Sequence, residues 1–282
     1  MVADRAAASM PAMADEAAST DGARTGRSYR VEALAKGLRL LSYFSGERPA
    51  LAVKELVDIS GIPMPTVFRL VATLEEERYL ERTVDGKVRP GTGVLALGFA
   101  ALQGLDVVQT SAAIMRELAA ATGETVNLGV LYHDQVLFVA RLPRTNTILA
   151  ADIRVGSTVP AVFSSIGKVI LANMSDAELT ARIDDRSFEG TWGPRAVRTL
   201  DDLRAQLAAA RRDGYLVQRD EAIPGLSSIA APIRQAGGSV AAALNVAVPS
   251  AEYGSRQLVD RLLPPLLAAS GEISRRMGGV TH

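Results

Sequence analysis

The sequence predicts an α+β fold, in which a helical N-terminal region precedes a domain built on a mostly antiparallel sheet. Up to about residue 76, apolar residues recur at three- and four-residue spacing, which is typical of amphipathic helices. Residues 124–155 and 226–248 show short strand-like segments separated by turn residues. A long pattern rich in alanine and leucine, typical of a helix, lies at residues 92–123.

The composition is that of an ordinary globular protein with about two domains. Of 282 residues, 48% are apolar and 22% are charged. The net charge is zero and the sequence pI is about 6.8, so any surface that attracts nucleic acid must be local. The longest apolar runs, such as "VAAALNVAV", are about half of the roughly 20 residues that a membrane span requires. The first 27 residues lack periodicity and a secretion signal, and we expect a disordered tail on a cytoplasmic protein.

Residues that carry enzymatic or metal chemistry are scarce. The chain has no cysteine, and its two histidines are His133 and His282, so thiolate sites are excluded and histidine-based sites are poorly supplied. "GTGVLA" at 91–96 has the spacing of a dinucleotide loop but follows a polar segment instead of a buried strand. Paired acids such as Asp220-Glu221 are typical of solvated loops, and His133 of a solvated turn. We therefore expect no catalytic residue, metal or cofactor.

Three helices are predicted before the segment that begins at Tyr79. The first covers 31–44, and the second covers 51–60 and ends at Gly61, which permits a sharp turn. The third begins between Pro63 and Pro65, where first-turn amides have no intrahelical partner to lose. The expected core positions are Leu34, Leu38, Leu41 and Phe44, then Leu56, Val57 and Ile59, and finally Val67, Leu70, Val71 and Leu74.

The segment "YLERTVDGKVRPG" that follows predicts a β-hairpin around Asp85-Gly86, a dipeptide that favours tight turns. Arg82, Lys87 and Arg89 make this hairpin basic. Three helices followed by a basic hairpin are the outline of a winged helix-turn-helix, and the third helix is expected to point a polar face away from the core. An arginine there can reach phosphate or guanine, and a threonine can bond a base or a phosphate. The candidate DNA-contacting residues are Thr66, Phe68, Arg69, Thr73, Lys87 and Arg89.

The apolar helical pattern at 92–123 is more hydrophobic than one small domain requires. A buried core helix is one explanation. A linker helix that also packs against a second subunit explains the all-round hydrophobicity better.

Beyond Glu124 the pattern predicts strands "ETVNLGVL", "QVLFVARL" and "TILAADIRV", with a second hairpin formed by "LSSIAAPI" and "SVAAALNVAV". Helices are predicted for "SSIGKVILANM" and "TLDDLRAQLAAARRDG". A last helix, from 255 to 277, is expected to be interrupted at Pro264-Pro265.

The chain resembles the IclR family of bacterial transcriptional regulators over residues 30–277. The segments that carry the resemblance are "VEALAKGLRLLSYF", "ELVDISGIPMPTVFRLVATLEEERYLER", "RVGSTVPAVFSSIGKVILA", "RRDGYLVQRDEAIPGLSSIAAPIRQAGGSVAAALNVAVPS" and "SRQLVDRLLPPLLAASGEIS". The "GLSSIAAPI", "AALNVAV" and "RLLPPL" segments are most similar to the subgroup that controls aromatic-acid catabolism through the β-ketoadipate pathway.

The resemblance implies a winged helix-turn-helix domain at 28–92, a dimerising linker helix at 93–110 and a GAF-like effector-binding domain at 111–278, after a tail at 1–27. It also implies that a small organic acid binds in the effector domain, where hydroxyls, backbone amides and an asparagine can hold a carboxylate. The residues that match the family's effector site are Val162, Phe163, Ser164, Ser165, Gly167, Glu221, Ser227, Ser228 and Asn245.

Two positions depart from the family. Met64 and Pro65 stand where the third helix usually begins with a cation and a serine or threonine, so the preferred DNA sequence is expected to differ. Arg219 stands where the aromatic-acid subgroup usually carries an acid, and it could either reach a ligand carboxylate or form a surface salt bridge.

Together, the patterns and the resemblance predict a ligand-responsive DNA-binding regulator that acts as a homodimer or a dimer of dimers on double-stranded operator DNA, with a small organic, aromatic acid as effector. Two alternatives stay open. One is a hydrolase or transferase that uses the winged helix only to dimerise, with a carboxylate such as Glu221 as its titratable group. The other is a protein-interaction adaptor that no longer binds DNA.

Overall fold

A computed structural model of the chain describes residues 29–46, 48–144 and 153–279. The predicted tail at 1–27 lies outside these residues. The chain divides into two compact units between Ala101 and Leu102, which we call the N-terminal unit and the C-terminal unit.

The N-terminal unit contains three helices followed by a two-stranded hairpin. The helices are α1 (Glu32–Leu41), α2 (Val53–Ser60) and α3 (Met64–Glu76), and the antiparallel strands are β1 (Leu80–Arg82) and β2 (Val88–Pro90). Gly61 adopts a left-handed conformation (φ 66°) and ends α2, as the turn between the helices requires. This order confirms the winged helix-turn-helix predicted from the sequence.

The core of the N-terminal unit corrects the predicted face of α1. Leu34 and Leu38 are 61% and 59% exposed, whereas Gly37 and Leu40 are buried. The predicted periodicity was right for a helix, but the face that packs on α3 lies to one side of the leucine stripe, where Leu70 contacts Gly37. In α3, Val67 and Val71 are fully buried as predicted.

Gly91 and Gly93 have a structural role at the end of the hairpin. A Cβ atom would lie 2.6 Å from the Arg78 carbonyl oxygen at Gly91 and 2.8 Å from it at Gly93. The Gly93 amide donates to that same oxygen at 3.0 Å. These glycines allow close backbone contact, which explains the "GTG" spacing without a nucleotide.

The predicted long helix is two helices, α4 (Thr92–Gln103) and α5 (Asp106–Thr122), separated at Gly104 and Leu105. No residue of α4 is buried, and Leu95, Leu97 and Phe99 are 60–73% exposed. A core helix is therefore the wrong explanation for α4 within one chain. In contrast, α5 buries five residues in the C-terminal unit. In the described part of the chain, no single helix is long and apolar enough to cross a bilayer, and α4 with α5 reaches that length and composition only as a bent pair.

The C-terminal unit is built on a six-stranded antiparallel sheet of strand order β5-β4-β3-β8-β7-β6. Its strands are β3 (Thr125–Tyr132), β4 (Gln135–Leu142), β5 (Thr158–Pro160), β6 (Leu216–Arg219), β7 (Leu226–Arg234) and β8 (Val240–Pro249). The predicted strand at 147–155 lies largely outside the described residues, and β5 begins beyond it. The sequence did not predict the short β6.

Helices cover both faces of this sheet. Helix α9 (Ser255–Arg276) packs with α5 against one face of the sheet and forms the first core. Helix α6 (Ser165–Leu171) packs with α8 (Leu200–Asp213) against the other face and forms the second core. The short α7 (Asp176–Thr180) adds Leu179 to this second core. Successive side chains of a strand point to opposite faces of the sheet, so β7 contributes to both cores. Ile229 and Ala231 pack in the first core, and Ala230 packs in the second.

Helix α9 corrects the predicted interruption, because it continues through Pro264 and Pro265. Each proline removes one backbone hydrogen bond. Leu258, Leu262 and Leu266, at four-residue spacing, are 0–1% exposed in the core beneath the sheet. Packing of this apolar face outweighs the local preference for a break.

Candidate nucleic-acid interface and ligand cavity

The exposed face of α3 presents most of the residues predicted to contact DNA. Arg69 and Thr73 are exposed, Phe68 is 58% exposed, and Thr66 is half-buried. The Thr73 hydroxyl donates to the Arg69 carbonyl at 3.0 Å, so it is engaged with its own helix. Among the described residues, the Arg69 guanidinium has no hydrogen bond or ion pair. This face also exposes 45% of Met64, one helical turn before Phe68.

The hairpin is basic, but carboxylates compensate two of its cations. Arg89 Nε lies 2.6 Å from Glu81 Oε1 on the neighbouring strand, and Arg82 Nε lies 2.9 Å from Glu75 Oε1. Lys87 is half-buried and has no such partner in the described part of the chain. Exposed ion pairs of this kind contribute about 0–1 kcal/mol, so phosphate can compete for their cations at small cost.

The C-terminal unit contains a cavity of about 510 Å³, including its open mouth, between the sheet and the segments before α6 and β7. Ser164, Ser165, Ser228 and Asn245, four of the nine residues predicted to bind the effector, line this cavity. Phe138, Val159, Ile223 and Leu226 form much of its apolar wall. The remaining described lining residues are Thr125, Asn127, Arg141, Ile153, Gln218, Ala222 and Ala247.

The other five predicted effector residues do not line the cavity. Val162 and Phe163 are fully buried in the core, where Phe163 contacts the Trp192 ring at 4.6 Å between centroids. Gly167 packs on the backbone of Ala161, where a Cβ would lie 2.3 Å from the carbonyl oxygen. The remaining two, Ser227 and Glu221, bond to other side chains.

A chain of hydrogen bonds joins the polar residues of the cavity. Arg141 Nη1 donates to Asn127 Oδ1 at 2.7 Å, and Asn127 Nδ2 donates to Asn245 Oδ1 at 2.8 Å. Asn245 Nδ2 donates to Ser165 Oγ at 3.1 Å. The chain then reaches Ser228 Oγ, 2.8 Å from Ser165 Oγ and 3.0 Å from Gln218 Oε1.

Glu221 is paired with Lys168 beneath the surface, which corrects its assignment to a solvated acidic loop. The Lys168 side chain is 0% exposed, the Glu221 side chain is 6% exposed, and the ammonium hydrogen-bonds both Glu221 and the Gln206 amide oxygen. Burial lowers the pKa of Lys168 and raises the pKa of Glu221, in each case against the attraction of the partner. Both directions indicate that desolvation outweighs pairing.

Arg219 does neither of the things considered from the sequence. Its guanidinium donates to the backbone carbonyls of Tyr253 at 2.8 Å and Ser250 at 3.1 Å. It therefore tethers the loop after β8, and it is absent from the cavity lining.

Sequence reasoning missed Asn127, Arg141, Gln218 and Lys168. The first three stand at alternate positions of strands, where a polar residue facing a cavity resembles one facing solvent. Lys168 could have been singled out from the sequence, because it is the only charged residue in the apolar segment "SSIGKVILANM" and is therefore expected to be buried with a partner.

Known protein families match both the N-terminal and the C-terminal unit. The profile described as "IclR helix-turn-helix domain" matches residues 33–83, and "Bacterial transcriptional regulator IclR C-terminal" matches residues 99–275. The Pca regulon regulatory protein of Pseudomonas putida is 30% identical over 277 residues, which cover 97% of this chain and 93% of that protein.

Two solved structures extend the likeness. An IclR homolog from Microbacterium hydrocarbonoxydans complexed with 4-hydroxybenzoate is 28% identical, with a TM-score of 0.71 over 88% of this chain and 99% of that one. An IclR family transcriptional regulator from Brucella abortus is 27% identical, with a TM-score of 0.73 over 88% and 93% of the two chains. With its helix-turn-helix and its C-terminal domain both matched, this chain belongs to the IclR family of bacterial DNA-binding transcriptional regulators.

Proposed function

We propose that the protein regulates transcription in the cytoplasm as a homodimer or dimer of dimers, under the control of a small aromatic carboxylic acid that binds the cavity of the C-terminal unit. The observation that carries the proposal is the cavity itself. It combines an apolar wall with an arginine and several amides and hydroxyls, which is the usual composition of a small-molecule site.

Two relatives support an aromatic carboxylic acid as the effector. The Microbacterium homolog binds 4-hydroxybenzoate, and the Pseudomonas relative carries the name of the Pca regulon. A flat aromatic ring fits against Phe138 and the aliphatic side chains, and a carboxylate needs the polar side of the cavity.

DNA recognition is assigned to the exposed face of α3 and to the hairpin. We assign Arg69 to a contact with guanine or phosphate, since it is exposed on α3, and we assign the apolar surface of Phe68 and Met64 to a thymine methyl group. Thr66 and Thr73 flank this face, and Lys87 and Arg89 of the hairpin are assigned to phosphates. The two apolar side chains at the start of α3 imply fewer hydrogen bonds to bases there.

Dimerisation is assigned to α4. An isolated helix with no buried residue and with Leu95, Leu97 and Phe99 exposed is unfavourable in water, and a second copy would cover it. Two recognition helices in successive major grooves require half-sites about 34 Å apart, which a dimer provides. For the acid to change operator affinity tenfold, it must favour one arrangement of the dimer by about 1.4 kcal/mol.

Among the described residues that line the cavity, none is a carboxylate or a histidine that could serve an enzymatic role. Glu221, the carboxylate considered for it, pairs with Lys168 and does not line the cavity. Turnover assays with aromatic acids and thioesters test this alternative, and measurable turnover would favour it.

The proposal is tested in two steps. A thermal-shift screen of aromatic acids should raise the melting temperature of the full chain with at least one of them, because a ligand that binds the folded state stabilises it. Fluorescence anisotropy with the promoter fragment upstream of the gene should then show that Arg69→Ala weakens binding by about 1–3 kcal/mol. Arg256→Ala, at a fully solvated position of α9, is the control. Equal affinities of the two variants would remove Arg69 from the interface, and the absence of a shift with any DNA fragment would favour an adaptor.

A further inference from the structure

The outward side of α3 is apolar over its first two turns. The exposed residues there are Met64, Pro65, Phe68 and Ala72. Residues four apart lie one above the other on a helix, so Met64, Phe68 and Ala72 form one row, with Pro65 beside its start. The row ends at the exposed Glu76. We call Met64, Pro65, Phe68 and Ala72 the apolar row of α3.

The fold of the N-terminal unit does not need the apolar row. Its core takes Val67 and Val71 from the inward side of α3, and both are fully buried. A surface helix ordinarily keeps apolar side chains on the side that it buries and polar side chains on the side that faces water. A second apolar side on the same helix is unfavourable in water and indicates a surface that a partner covers.

Hydrogen-bonding side chains are scarce next to the apolar row. Thr73 donates its only hydroxyl proton to the Arg69 carbonyl at 3.0 Å, and Thr66 is half-buried. Arg69 is exposed and makes no hydrogen bond or ion pair through its guanidinium with any other described residue. A helix that reads bases mainly by hydrogen bonds needs several polar side chains at these positions. This helix offers one arginine beside an apolar surface.

The major groove of DNA contains one apolar group that suits such a surface. Base edges present hydrogen-bond donors and acceptors there, except for the methyl group on C5 of thymine. Arg69 and the basic hairpin belong to the same unit as the apolar row, and their charge favours a polyanion over a second protein. The row also lies within the matched helix-turn-helix of a family of DNA-binding regulators. Duplex DNA is therefore the partner that these residues fit.

We propose that the apolar row makes thymine methyl groups the main sequence signal in the operator, while Arg69 supplies the one polar contact that fixes the register. The inference rests on the proposed contact of α3 with DNA. It means that the protein distinguishes thymine from uracil, although both bases pair with adenine and differ in the major groove only by the methyl group. The methyl contact is uncharged, so its loss lowers affinity without changing the salt dependence of binding.

The first test removes the methyl group from the DNA and leaves the protein unchanged. The promoter fragment upstream of the gene is synthesised with thymine, with uracil, or with 5-bromouracil, whose bromine has about the volume of a methyl group. In anisotropy titrations of the full chain, uracil should weaken binding about fourfold for each contacted methyl, or about fifteenfold for one methyl in each half-site of the proposed dimer. The slope of log K against log salt should not change. 5-Bromouracil should restore the affinity to within about twofold of the thymine form.

A matched change in the protein locates the contact. Met64→Ala with Phe68→Ala trims two exposed side chains of the apolar row, so the fold should be retained, and melting curves check this. The double variant should bind the thymine form less tightly, and its affinities for the thymine and uracil forms should agree within about twofold. Val84→Ala trims an exposed apolar side chain at the turn of the hairpin and should keep the full preference for thymine.

The outcomes separate methyl reading from the proposed DNA contact. If wild type binds the thymine and uracil forms equally and Arg69→Ala still weakens binding, methyl reading is wrong and the contact of α3 with DNA stands. Methyl reading is also wrong if 5-bromouracil binds as poorly as uracil, or if the double variant keeps the wild-type preference for thymine. A double variant with unchanged DNA affinity and an altered mass in light scattering would assign the apolar row to a protein contact instead. If no form of the fragment binds, the proposed DNA contact is wrong and the inference falls with it.

Discussion

The Lys168–Glu221 pair predicts an unusual pattern of stability in three variants. The perturbations are Lys168→Met, Glu221→Leu and the double variant, which exchange the ions for apolar side chains of similar size. Both side chains are at least 94% buried, so each single variant leaves one ion without its partner in the interior. Removing one partner of such a pair costs about 3–5 kcal/mol, whereas replacing both is neutral or stabilising by about 1–4 kcal/mol.

The expected result is that the double variant is more stable than either single variant. For a domain of 150–250 residues, 1 kcal/mol shifts the melting temperature by about 2–4 °C, so Glu221→Leu should melt roughly 6–20 °C below wild type. The double variant should melt within a few degrees of wild type or above it. Thermal and urea unfolding followed by circular dichroism measure both values. A double variant as unstable as the sum of the single ones would refute the claim that desolvation outweighs pairing.

The pH dependence of Lys168→Met gives an independent check. Burial raises the pKa of Glu221, and removal of the lysine leaves only the backbone hydrogen bond of Val197 to oppose that rise. A carboxyl whose folded pKa lies above its unfolded value adds stability below the unfolded pKa, and loses it as pH rises through the folded pKa. The deficit of Lys168→Met relative to wild type should therefore shrink between about pH 8 and about pH 5. A deficit that stays constant over this range would contradict the buried position of the carboxyl.

Other consequences concern the hairpin, α4 and the cavity. Lys87→Ala should flatten the dependence of log K on log salt by about 0.9, the value for one lost phosphate contact, and an unchanged slope would argue against that contact. Glu81→Gln releases the neighbouring arginine from its ion pair and should tighten DNA binding; weaker binding in gel-shift titrations would contradict the competition described above. Leu95→Glu with Phe99→Glu should convert the proposed dimer to a monomer in light scattering without changing the melting of the C-terminal unit, because both side chains are exposed in the single chain. Asn245→Leu should lower the free energy of unfolding by about 1–3 kcal/mol, because it leaves buried polar groups without a hydrogen-bond partner. An unchanged free energy of unfolding in urea would show that the hydrogen-bonded chain in the cavity is not needed for stability.

The helices and strands were largely predictable because most of them follow local rules. The apolar spacing of α3, the Asp85-Gly86 turn and the hairpin of β7 and β8 each agree with the period or turn chemistry of their segment. The exceptions depend on distant contacts. Leu34 and Leu38 of α1 have helical spacing but lie off the core, and α9 passes through two prolines because its leucines are held against the sheet.

The cavity was less predictable than the fold. Family resemblance located its region, but five of the nine carried-over residues are core or support positions, because a buried side chain next to a cavity and one that lines it have the same local sequence pattern. Asn127 and Arg141 are partners across the β3–β4 hairpin, whereas Gln218 lies on β6, two strands beyond β8 and far along the sequence. Only the tertiary structure shows that all three line one cavity. Lys168 and Glu221 are 53 residues apart in the sequence, so their contact too is visible only in the tertiary structure.

The most direct test of the account is whether one acid controls DNA binding through the cavity. Anisotropy titrations of the promoter fragment, with and without the tightest acid of the thermal-shift screen, should give dissociation constants that differ by about tenfold for wild type. Ser228→Val with Asn245→Leu, which replaces two polar residues of the cavity lining with apolar ones, should bind the fragment with wild-type affinity in the absence of acid and show no change when acid is added. An equal response of wild type and this double variant, or a wild type that binds DNA identically with and without a bound acid, would contradict the account.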